Sequence, residues 1–436
     1  MAISMKDGAN GYPQIFRVCQ KFDAPRIDNV PAEVESQLAR LSLGNTIRPG
    51  QSVAISAGSR GIANIHLIIK AIADHIKSLD AEPFIVPAMG SHAGGKAEGQ
   101  QKILESYGIT EKFCGCPIRS SMETVIVCRA AEGFPVHFDK YAYDADHVVL
   151  CNRIKTHTQF SGDIESGLMK IMLPGLGKHT GAKIYHRAIK DFNFSQILHS
   201  VAGEILDKCN IVVGVGVVEN SYCQTAKIQA ALPQDLEKTD KELLILAKKW
   251  APRLPFDNVD ILLIDETGKE ISGTGFDVSL VGRKHIDHKA APDEYPKVRI
   301  IALRNLTDKS GGNAEGMGLA EFCLTRFLEK VSVNTTRVNA LTSGHYTGSM
   351  TPLDYATDRE MLDVMLREIG LTEPPDAKLL WIRNTLSLSE VECSVAYLDE
   401  ARSREDLEIL SEPRPLPFDA DGFLSDDHMN QNNHCR

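Results

Sequence analysis

KTHTQFSGDIESGLMKIMLPGLGKHTGAKIYH, residues 155–186, is the stretch around which this chain is organised. It contains three histidines, four lysines and five glycines, and its one mainly apolar run, residues 168–173, is interrupted only by Lys170. A single lysine or histidine is most often a surface residue without a special role. No other segment has so many metal ligands and nucleophiles together, and this concentration indicates a functional site.

The glycines of this stretch do not form the phosphate loop of an ordinary ATPase. Gly162 and Gly167 have the spacing of a Walker A motif, but Leu168 and Met169 stand where that motif needs Lys and Ser or Thr. A P-loop nucleotide triphosphatase is therefore not expected.

Two glycine pairs begin like a dinucleotide-binding fingerprint. The pairs are Gly175 with Gly177 and Gly214 with Gly216, and Thr180 and Glu219 occupy the positions of the third glycine. These two incomplete matches leave an NAD-type oxidoreductase open as an alternative function.

The first complete unit upstream of the stretch is a strand, a turn and a helix. Residues 53–56 predict a strand, residues 58–61 a glycine turn, and isoleucines at helical spacing predict a helix over 62–79. A helix N-terminus that follows such a turn offers backbone N–H groups and a favourable dipole to an anion. Gly58, Ser59 and Arg60 are thus candidates to hold a phosphate, and a plain connection with a solvated Arg60 is the alternative.

The next strand, predicted over 83–87, leads to a histidine between glycines. His92 follows the carboxyl end of this strand, which is where open α/β sheets bind ligands. His66 and His75 lie on the preceding predicted helix and are expected to pack or to face solvent. His92 is therefore the better candidate for chemistry. Further strands over 124–128 and 147–151 lead to the central stretch.

The alternation of strands and helices predicts an α/β protein of two α/β domains, with a cofactor and substrate cleft between them. The predicted boundaries are 1–255 for the N-terminal, cofactor-binding domain and 256–411 for the C-terminal domain. The second domain is expected to contain strands over 259–264, 298–303 and 379–382 and a helix over 315–330. The polar residues 412–436 are expected to fray.

The composition narrows the class of protein. The chain has 436 residues, 43% of them hydrophobic and 24% charged, and a net charge of −10. An acidic chain is a poor partner for nucleic acid or an anionic membrane surface. No apolar run reaches the roughly 20 residues of a membrane helix, and the first residues lack the apolar core of a signal peptide. The expected location is the cytoplasm.

The ordered motifs of the central stretch resemble those of the lactate racemase family that uses a nickel-pincer nucleotide. In that family a lysine holds the nucleotide as a thioamide, and a histidine some sixteen residues later binds the nickel. Lys170 and His186 have this separation. A histidine that precedes Phe-Ser-Gly also matches, since His157 precedes residues 160–162, although the interval from His157 to Lys170 is about three residues longer here.

The resemblance extends to other loops. His92 matches the family's first acid/base histidine in a Gly-x-His loop, and Arg60 matches an arginine that packs at the cofactor, with Ala57 where the family often has Asp. A glycine-rich loop at residues 268–277 resembles the substrate-side loop, whose lysine holds the substrate carboxylate. Arg283 and Lys284 are taken as the nearest cations to it.

The resemblance implies a racemase or epimerase that inverts the C2 carbon of a lactate-like 2-hydroxy acid. The C2 proton of such an acid is weakly acidic, so hydride removal with a base at the hydroxyl is the easier route, and a racemase needs one acid/base on each face. His92 and His157 supply this pair. Lys170 would tether the nucleotide, His186 would bind nickel, and Arg60, Ser59, Gly58 and Gly162 would contact the cofactor.

The implied cofactor is the nickel(II) complex of pyridinium-3-thioamide-5-thiocarboxylic acid mononucleotide. A charged ammonium at Lys170, inside an apolar run, would cost several kcal/mol to bury, and a thioamide would remove that charge. The implied partners are a small 2-hydroxy acid and the enzymes that synthesise the cofactor, and a homo-oligomer is left open. Besides the NAD-type oxidoreductase, a non-catalytic nucleotide-binding protein is the remaining alternative.

Overall fold

A computed structural model describes residues 11–59, 61–158 and 161–425. The chain divides into two compact units. One unit is Ala24–Ala251, and the other joins Met1–Asp23 to Pro252–Arg436. Both contain strands and helices, as expected for two α/β domains. We call Ala24–Ala251 the central unit and the other the discontinuous unit.

The strands of the described residues fall in two large sheets and one hairpin. In chain order they are β1 (Ile15–Gln20), β2 (Ser52–Ala57), β3 (Glu82–Pro87), β4 (Thr124–Arg129), β5 (Pro135–Asp139), β6 (His147–Arg153), β7 (Ile211–Glu219), β8 (Thr225–Ala231), β9 (Asn258–Ile264), β10 (Lys297–Leu303), β11 (Phe322–Leu324), β12 (Leu353–Tyr355), β13 (Leu379–Ile382), β14 (Glu390–Ser394) and β15 (Leu407–Ile409).

The α-helices connect these strands, and most of the long ones belong to the central unit. They are α1 (Val30–Ala39), α2 (Ile65–Ser78), α3 (His92–Gly95), α4 (Ala97–Ser106), α5 (Glu111–Cys114), α6 (Lys140–Asp144), α7 (Leu168–Lys170), α8 (Lys178–Ala188), α9 (Phe194–Lys208), α10 (Leu236–Trp250), α11 (Thr325–Glu329), α12 (Val333–Ser343), α13 (Asp358–Glu368) and α14 (Leu398–Ser403). No helix in the described part of the chain combines the length and apolarity needed to cross a membrane.

The central unit is built on a five-stranded sheet with the order β3-β2-β6-β7-β8. The first four strands are parallel, and β8 is antiparallel to β7. The chain runs from β2 outward to β3 and then returns to the other side of β2 to form β6. The direction of strand order therefore reverses between β2 and β6, which makes this place a topological switch point.

Both faces of this sheet are covered because its strands carry apolar side chains on both sides. On one face, Ile55 and Val149 pack in a cluster with the isoleucines of α2, which lie at helical spacing. On the other face, Ala54 and Leu150 pack in a cluster that includes Leu168 and Met172. The apolar run 168–173 of the central stretch is thus part of the core of the unit.

The discontinuous unit has an eight-stranded sheet with the order β12-β11-β10-β9-β13-β14-β1-β15. Its first strand comes from the start of the chain, where β1 pairs antiparallel with β14 and β15. The sequence-based boundaries had placed this segment in the N-terminal domain. The buried side chains of Phe16 and Val18 explain the difference, since they belong to the core of the discontinuous unit.

Two further expectations for the discontinuous unit differ from the structure. The predicted helix 315–330 is interrupted by Phe322–Leu324, which forms the buried strand β11 parallel to β10. The segment after residue 412 is ordered as far as it is described. Arg414 exchanges backbone hydrogen bonds of 2.8 Å with Ile15, and the buried Arg304 donates to the carbonyl of Leu424 at 2.8 Å.

A buried ion pair joins α8 to the rest of the central unit. The Lys178 ammonium lies 2.6 Å from the Asp139 carboxylate, and both side chains are 0% exposed. The same ammonium donates to the Pro87 carbonyl at 2.6 Å, and Asp139 caps α6 by accepting from the Ala142 N–H at 2.8 Å. Lys178 is one of the four lysines of the central stretch, and its role is structural.

Replacement of Lys178 by Met should destabilise the central unit strongly. The variant keeps the apolar stem but leaves the Asp139 carboxylate buried without its cation, which costs about 3–5 kcal/mol of unfolding free energy. Urea denaturation followed by circular dichroism measures this loss. Lys208→Met is the matched control, because the Lys208–Glu204 pair is exposed and its loss should leave the midpoint nearly unchanged. Equal midpoints for the two variants would contradict the assignment.

Candidate functional site

The parallel strands of the central unit bring the candidate residues to one edge of the sheet. Gly58 and Ser59 follow β2, His92 follows β3, and His157 lies in the loop after β6. Carboxyl ends of parallel strands share an edge, and ligands of open α/β sheets bind there at the switch point. Here that point lies between β2 and β6, so the predicted residues surround it.

Ser59 and His92 are in direct contact. The Ser59 hydroxyl is hydrogen-bonded to Nδ1 of His92. The buried Gln100 holds the loop that carries His92. Its amide donates to the carbonyls of Gly90 at 2.9 Å and His92 at 3.3 Å. Ser59 was predicted to contact the cofactor, and the structure gives it a defined role in orienting His92.

The loops after β2 and β3 both lie against the segment that follows Lys170. A side chain at Gly58 would contact Asn152 and Ile171 at 3.4 and 3.9 Å. Gly90 has φ +58°, its N–H donates to the Gly175 carbonyl at 3.3 Å, and a Cβ there would lie 2.8 Å from the Pro174 carbonyl oxygen. Glycine is required at position 90 on both counts.

The loop after β6 carries His157 and is closed by polar contacts. The backbone N–H of His157 donates to the Glu165 carboxylate at 2.8 Å. The Ser166 hydroxyl accepts from the Lys155 N–H at 2.7 Å and donates to its carbonyl at 2.6 Å. Gly162 is exposed in this loop, and its proposed contact with a cofactor stays a prediction. Gln159, Phe160 of the quoted Phe-Ser-Gly motif and Arg60 lie outside the described residues.

Lys170 is the last residue of the short helix α7. A π-helical segment, Ile171–Gly175, follows it directly and contains Pro174. Single π-turns are rare and are often found at functional sites. Met169 and Ile171 are buried, whereas Lys170 is partly exposed and its ammonium lies 5.4 Å from the centre of the Phe194 ring. The expectation that the Lys170 ammonium is buried inside the apolar run is therefore corrected. The Lys170 side chain is partly exposed, and its charge lies near the face of an aromatic ring.

Lys170 and His186 interact electrostatically across the sixteen-residue interval. Burial lowers the pKa of His186, and the positive charge of Lys170 lowers it further. Both effects favour the neutral imidazole, which is the form that binds metals. The two residues that the resemblance pairs thus influence each other through their charges.

His179 lies on the same helix, α8, two turns before His186. It packs against the His92 loop, since a Cβ at Gly95 would lie 2.9 Å from the ring. Burial is the main cause and the charge of Lys183 the second cause of a lowered pKa of His179. Sequence reasoning noted His179 only as one of three histidines, and its spacing of seven from His186 was the available signal.

The described residues contain no group of three or more His, Cys, Asp or Glu side chains arranged to hold a metal ion. A metal bound at His186 would therefore need its remaining ligands from a bound group. A partly buried neutral imidazole beside a lysine fits such a group, because one residue can bind the metal and the other can be acylated. The residues present are compatible with a tethered, ligand-rich cofactor.

The glycine pairs that suggested a dinucleotide fold have other roles. Gly214 and Gly216 lie inside the buried strand β7, not in a turn before a helix. A Cβ at Gly214 would lie 2.5 Å from Leu236 and 2.8 Å from Leu168, so the absent side chain permits close packing. Gly175 and its neighbours form the π-helical segment. The fingerprint needs a strand, a tight turn and a helix, and neither pair has that context.

Glu219, at the end of β7, occupies part of the predicted anion position. Its carboxylate accepts from the Ala63 N–H at 2.6 Å, just before α2, and forms an ion pair with Arg153. A negative side chain already satisfies one backbone donor near this helix N-terminus. The phosphate-binding prediction for Gly58 and Ser59 stays a prediction.

The cations predicted for substrate binding lie in the discontinuous unit and differ in exposure. The Arg283 side chain is 0% exposed, and its guanidinium donates to the carbonyls of Val298 at 2.7 Å and Arg299 at 3.2 Å. This burial does not support a substrate role for Arg283. Lys284 is partly exposed, and its N–H donates to Glu294 at 2.8 Å.

Sequence reasoning passed over Lys269, which lies inside the glycine-rich loop itself. Its ammonium is 2.9 Å from the Glu315 carboxylate, in a pair whose glutamate is buried. The position of Lys269 between Gly268 and Gly273 was the signal that could have identified it. The pairing with Glu315 fixes the direction of the ammonium.

Comparisons with known proteins found a matching family model and a similar fold. Residues 18–195 match the family model described as the lactate racemase N-terminal domain. The lactate racemase apoprotein from Thermoanaerobacterium thermosaccharolyticum has a similar fold, with a TM-score of 0.52, 15% identity, and coverage of 86% of this chain and 99% of that chain. A search of curated proteins gave no match.

The electrostatic contact between Lys170 and His186 can be tested in protein that lacks any cofactor. Lys170→Met should raise the pKa of His186, because a nearby positive charge that opposes protonation is removed, and burial should keep it below its ordinary value. An NMR titration of the ring protons measures the change. Lys183→Met is the matched control and should instead raise the pKa of His179. An unchanged His186 titration in Lys170→Met would mean that the two side chains are not neighbours.

Proposed function

The chain belongs to the lactate racemase family through residues 18–195, and on this premise we propose that it is a racemase or epimerase of a 2-hydroxy acid. The observations that support the proposal are the contact between Ser59 and His92 after the parallel strands and the electrostatic effect of Lys170 on His186. We propose the nickel-pincer nucleotide as the cofactor, the cytoplasm as the location, and the cofactor-synthesis enzymes as partners.

The reaction requires a hydride to leave C2 of the substrate while a base removes the hydroxyl proton. The product of this step is a planar 2-keto acid, which can take the hydride back on either face. A bound nickel-pincer nucleotide would supply the hydride acceptor. His92 and His157 would each accept the hydroxyl proton of one enantiomer and return it to the other.

The orientation of His92 follows from its contact with Ser59. A hydroxyl at Nδ1 fixes the ring plane, so that Nε2 is the nitrogen we propose for proton transfer. Ser59 therefore supports the acid/base, besides any contact with the cofactor. His157 would act from the neighbouring loop, whose backbone is held by Glu165.

Lys170 would hold the nucleotide by acylation of its amine, and His186 would bind the nickel. The partial exposure of Lys170 makes the amine accessible to a cofactor-synthesis enzyme or a preformed nucleotide. The lowered pKa of His186 keeps its ring neutral near pH 7, as a metal ligand requires. Arg60, Gly58 and Gly162 remain the proposed contacts of the nucleotide.

Binding of the substrate carboxylate by a lysine among residues 268–284 stays a proposal. Lys269 and Lys284 are the candidates, because both are partly exposed while Arg283 is buried. Glu315 would keep the Lys269 ammonium oriented. The substrate is a small 2-hydroxy acid, with lactate as the first compound to test.

Lys170 and His186 have separate proposed roles, so their variants should lose different things, the nucleotide adduct or the nickel, in protein produced with the cofactor-synthesis enzymes. The wild type should carry an added mass on the order of several hundred daltons on the Lys170 peptide, as for a mononucleotide-derived group. His186→Ala should keep this adduct and lose nickel, and Lys170→Ala should lose the adduct. Peptide mass spectrometry and metal analysis measure both. Active, nickel-containing protein with an unmodified Lys170 would overturn the tether.

Loss of either acid/base histidine should abolish racemisation in both directions, because each enantiomer needs a base on its own face. His92→Ala and His157→Ala should keep the Lys170 adduct and lose activity, which chiral chromatography of the product measures. His199→Ala is the control, since His199 is exposed and pairs with Glu237 on the surface. Wild-type racemisation by either variant would remove that histidine from the mechanism, and retained nucleotide without any activity in the wild type would favour a non-catalytic binding protein.

A further inference from the structure

Helix α10 contacts both ends of the segment that runs from His157 to Lys170. This helix lies outside residues 18–195, which match the family model. Its side chains nevertheless bond to the loop at one end and to the helix of Lys170 at the other. Two of the groups in these contacts, Asp240 and Glu165, are buried carboxylates, and buried charges are costly unless they are well paired.

The first contact is a cap on the turn that carries Lys170. The Asp240 carboxylate accepts from the N–H of Leu168 at 2.9 Å and from the N–H of Met169 at 2.8 Å. These are the first two donors of α7, which no residue of α7 itself can satisfy. Burial raises the pKa of Asp240 to about 7, and the two N–H groups oppose that rise.

Gly167 gives independent evidence that this cap is built into the backbone. Its φ is +107°, which favours glycine, and a Cβ there would collide with the Asp240 carboxylate. The Gly167 carbonyl also accepts from the Asn152 amide at 2.8 Å, at the carboxyl end of β6. The start of α7 is thus fixed between the sheet and α10.

The second contact reaches the backbone at His157. Glu165 is buried, and its two carboxylate oxygens have different partners: Oε2 accepts from the His157 N–H at 2.8 Å and Oε1 pairs with Lys248 of α10 at 2.8 Å. Lys241, on the same helix, pairs with Asp163 at 2.7 Å. The loop of His157 is therefore tied to α10 by two ion pairs.

We propose that α10 positions the site, with Asp240 as the positioning residue for Lys170 and Glu165 as the positioning residue for His157. This inference rests on the proposed function for the roles of Lys170 and His157. The cap would hold Lys170 in the position from which its amine carries the nucleotide, and the carboxylate of Glu165 would hold the histidine loop in the orientation in which its ring accepts the substrate proton. Neither Asp240 nor Glu165 takes part in proton transfer.

The structural half of the proposal is tested without cofactor or substrate, by amide hydrogen exchange in the full chain. Asp240→Asn and Gly167→Ala should each speed exchange at Leu168 and Met169 roughly tenfold or more, as expected when hydrogen bonds to a charged acceptor are weakened. Glu165→Gln should do the same at His157. Lys238→Met, on the exposed face of α10, is the control. Unchanged amide exchange in the first three variants would overturn the proposal that α10 holds these two segments.

The functional half uses protein produced with the cofactor-synthesis enzymes. Asp240→Asn and Gly167→Ala should slow formation of the Lys170 adduct roughly tenfold, whereas Glu165→Gln should load normally and show a reduced kcat at unchanged KM, since His157 acts in the reaction and not in binding. Lys248→Met removes the partly exposed partner of the buried Glu165 and should lower kcat several-fold, and circular dichroism of the variant checks that it folds.

The outcomes separate this proposal from the proposed function. Normal adduct formation in Asp240→Asn together with normal kcat in Glu165→Gln and Lys248→Met, despite faster exchange, would reduce α10 to a purely structural element. Absence of the adduct in the wild type would count against the proposed function, while the exchange experiment would still decide whether α10 holds the two segments.

Discussion

The reversal of strand order between β2 and β6 is the constraint on which the central unit depends. Four parallel strands end at one edge of the sheet, and the reversal leaves their loops facing one another there. The loop after β2 supplies Ser59, the loop after β3 supplies His92, and they meet in a hydrogen bond. The loop after β6 carries His157 and leads to Lys170. Residues far apart in the sequence become neighbours because of the order of the strands.

The central stretch combines a rigid base with accessible functional groups. Its apolar side chains belong to the core, its first buried donors are capped by Asp240, and Lys178 is neutralised inside the unit by Asp139. Against this base, Lys170 and His186 are only partly buried, and the charge of Lys170 lowers the pKa of His186. A rigid support for a few oriented groups is what a covalently held cofactor requires.

Sequence patterns predicted the strands of the central sheet better than the elements of the discontinuous unit. Buried parallel strands appear in the sequence as short apolar runs. His92 was recognisable because it follows such a run and is flanked by glycines. Features that depend on distant partners were not predictable in the same way. The first strand pairs with β14, and the partners Arg17 and Glu392 are more than 370 residues apart in the chain. Arg283 was a candidate because it is a cation near the glycine-rich loop, but its guanidinium is buried and donates to backbone carbonyls. The Asp240 cap likewise comes from a helix about 70 residues after the turn that it supports.

The central claim is that a nickel ion lies at this edge of the sheet with His186 as its protein ligand and sulfur from a Lys170-bound group beside it. X-ray absorption at the nickel edge, on protein produced with the cofactor-synthesis enzymes, tests it most directly. The account predicts sulfur scattering together with one imidazole, which His186→Ala should remove, since imidazole is a ligand that suits nickel. Nickel surrounded only by oxygen and nitrogen, or an unchanged spectrum in His186→Ala, would contradict it.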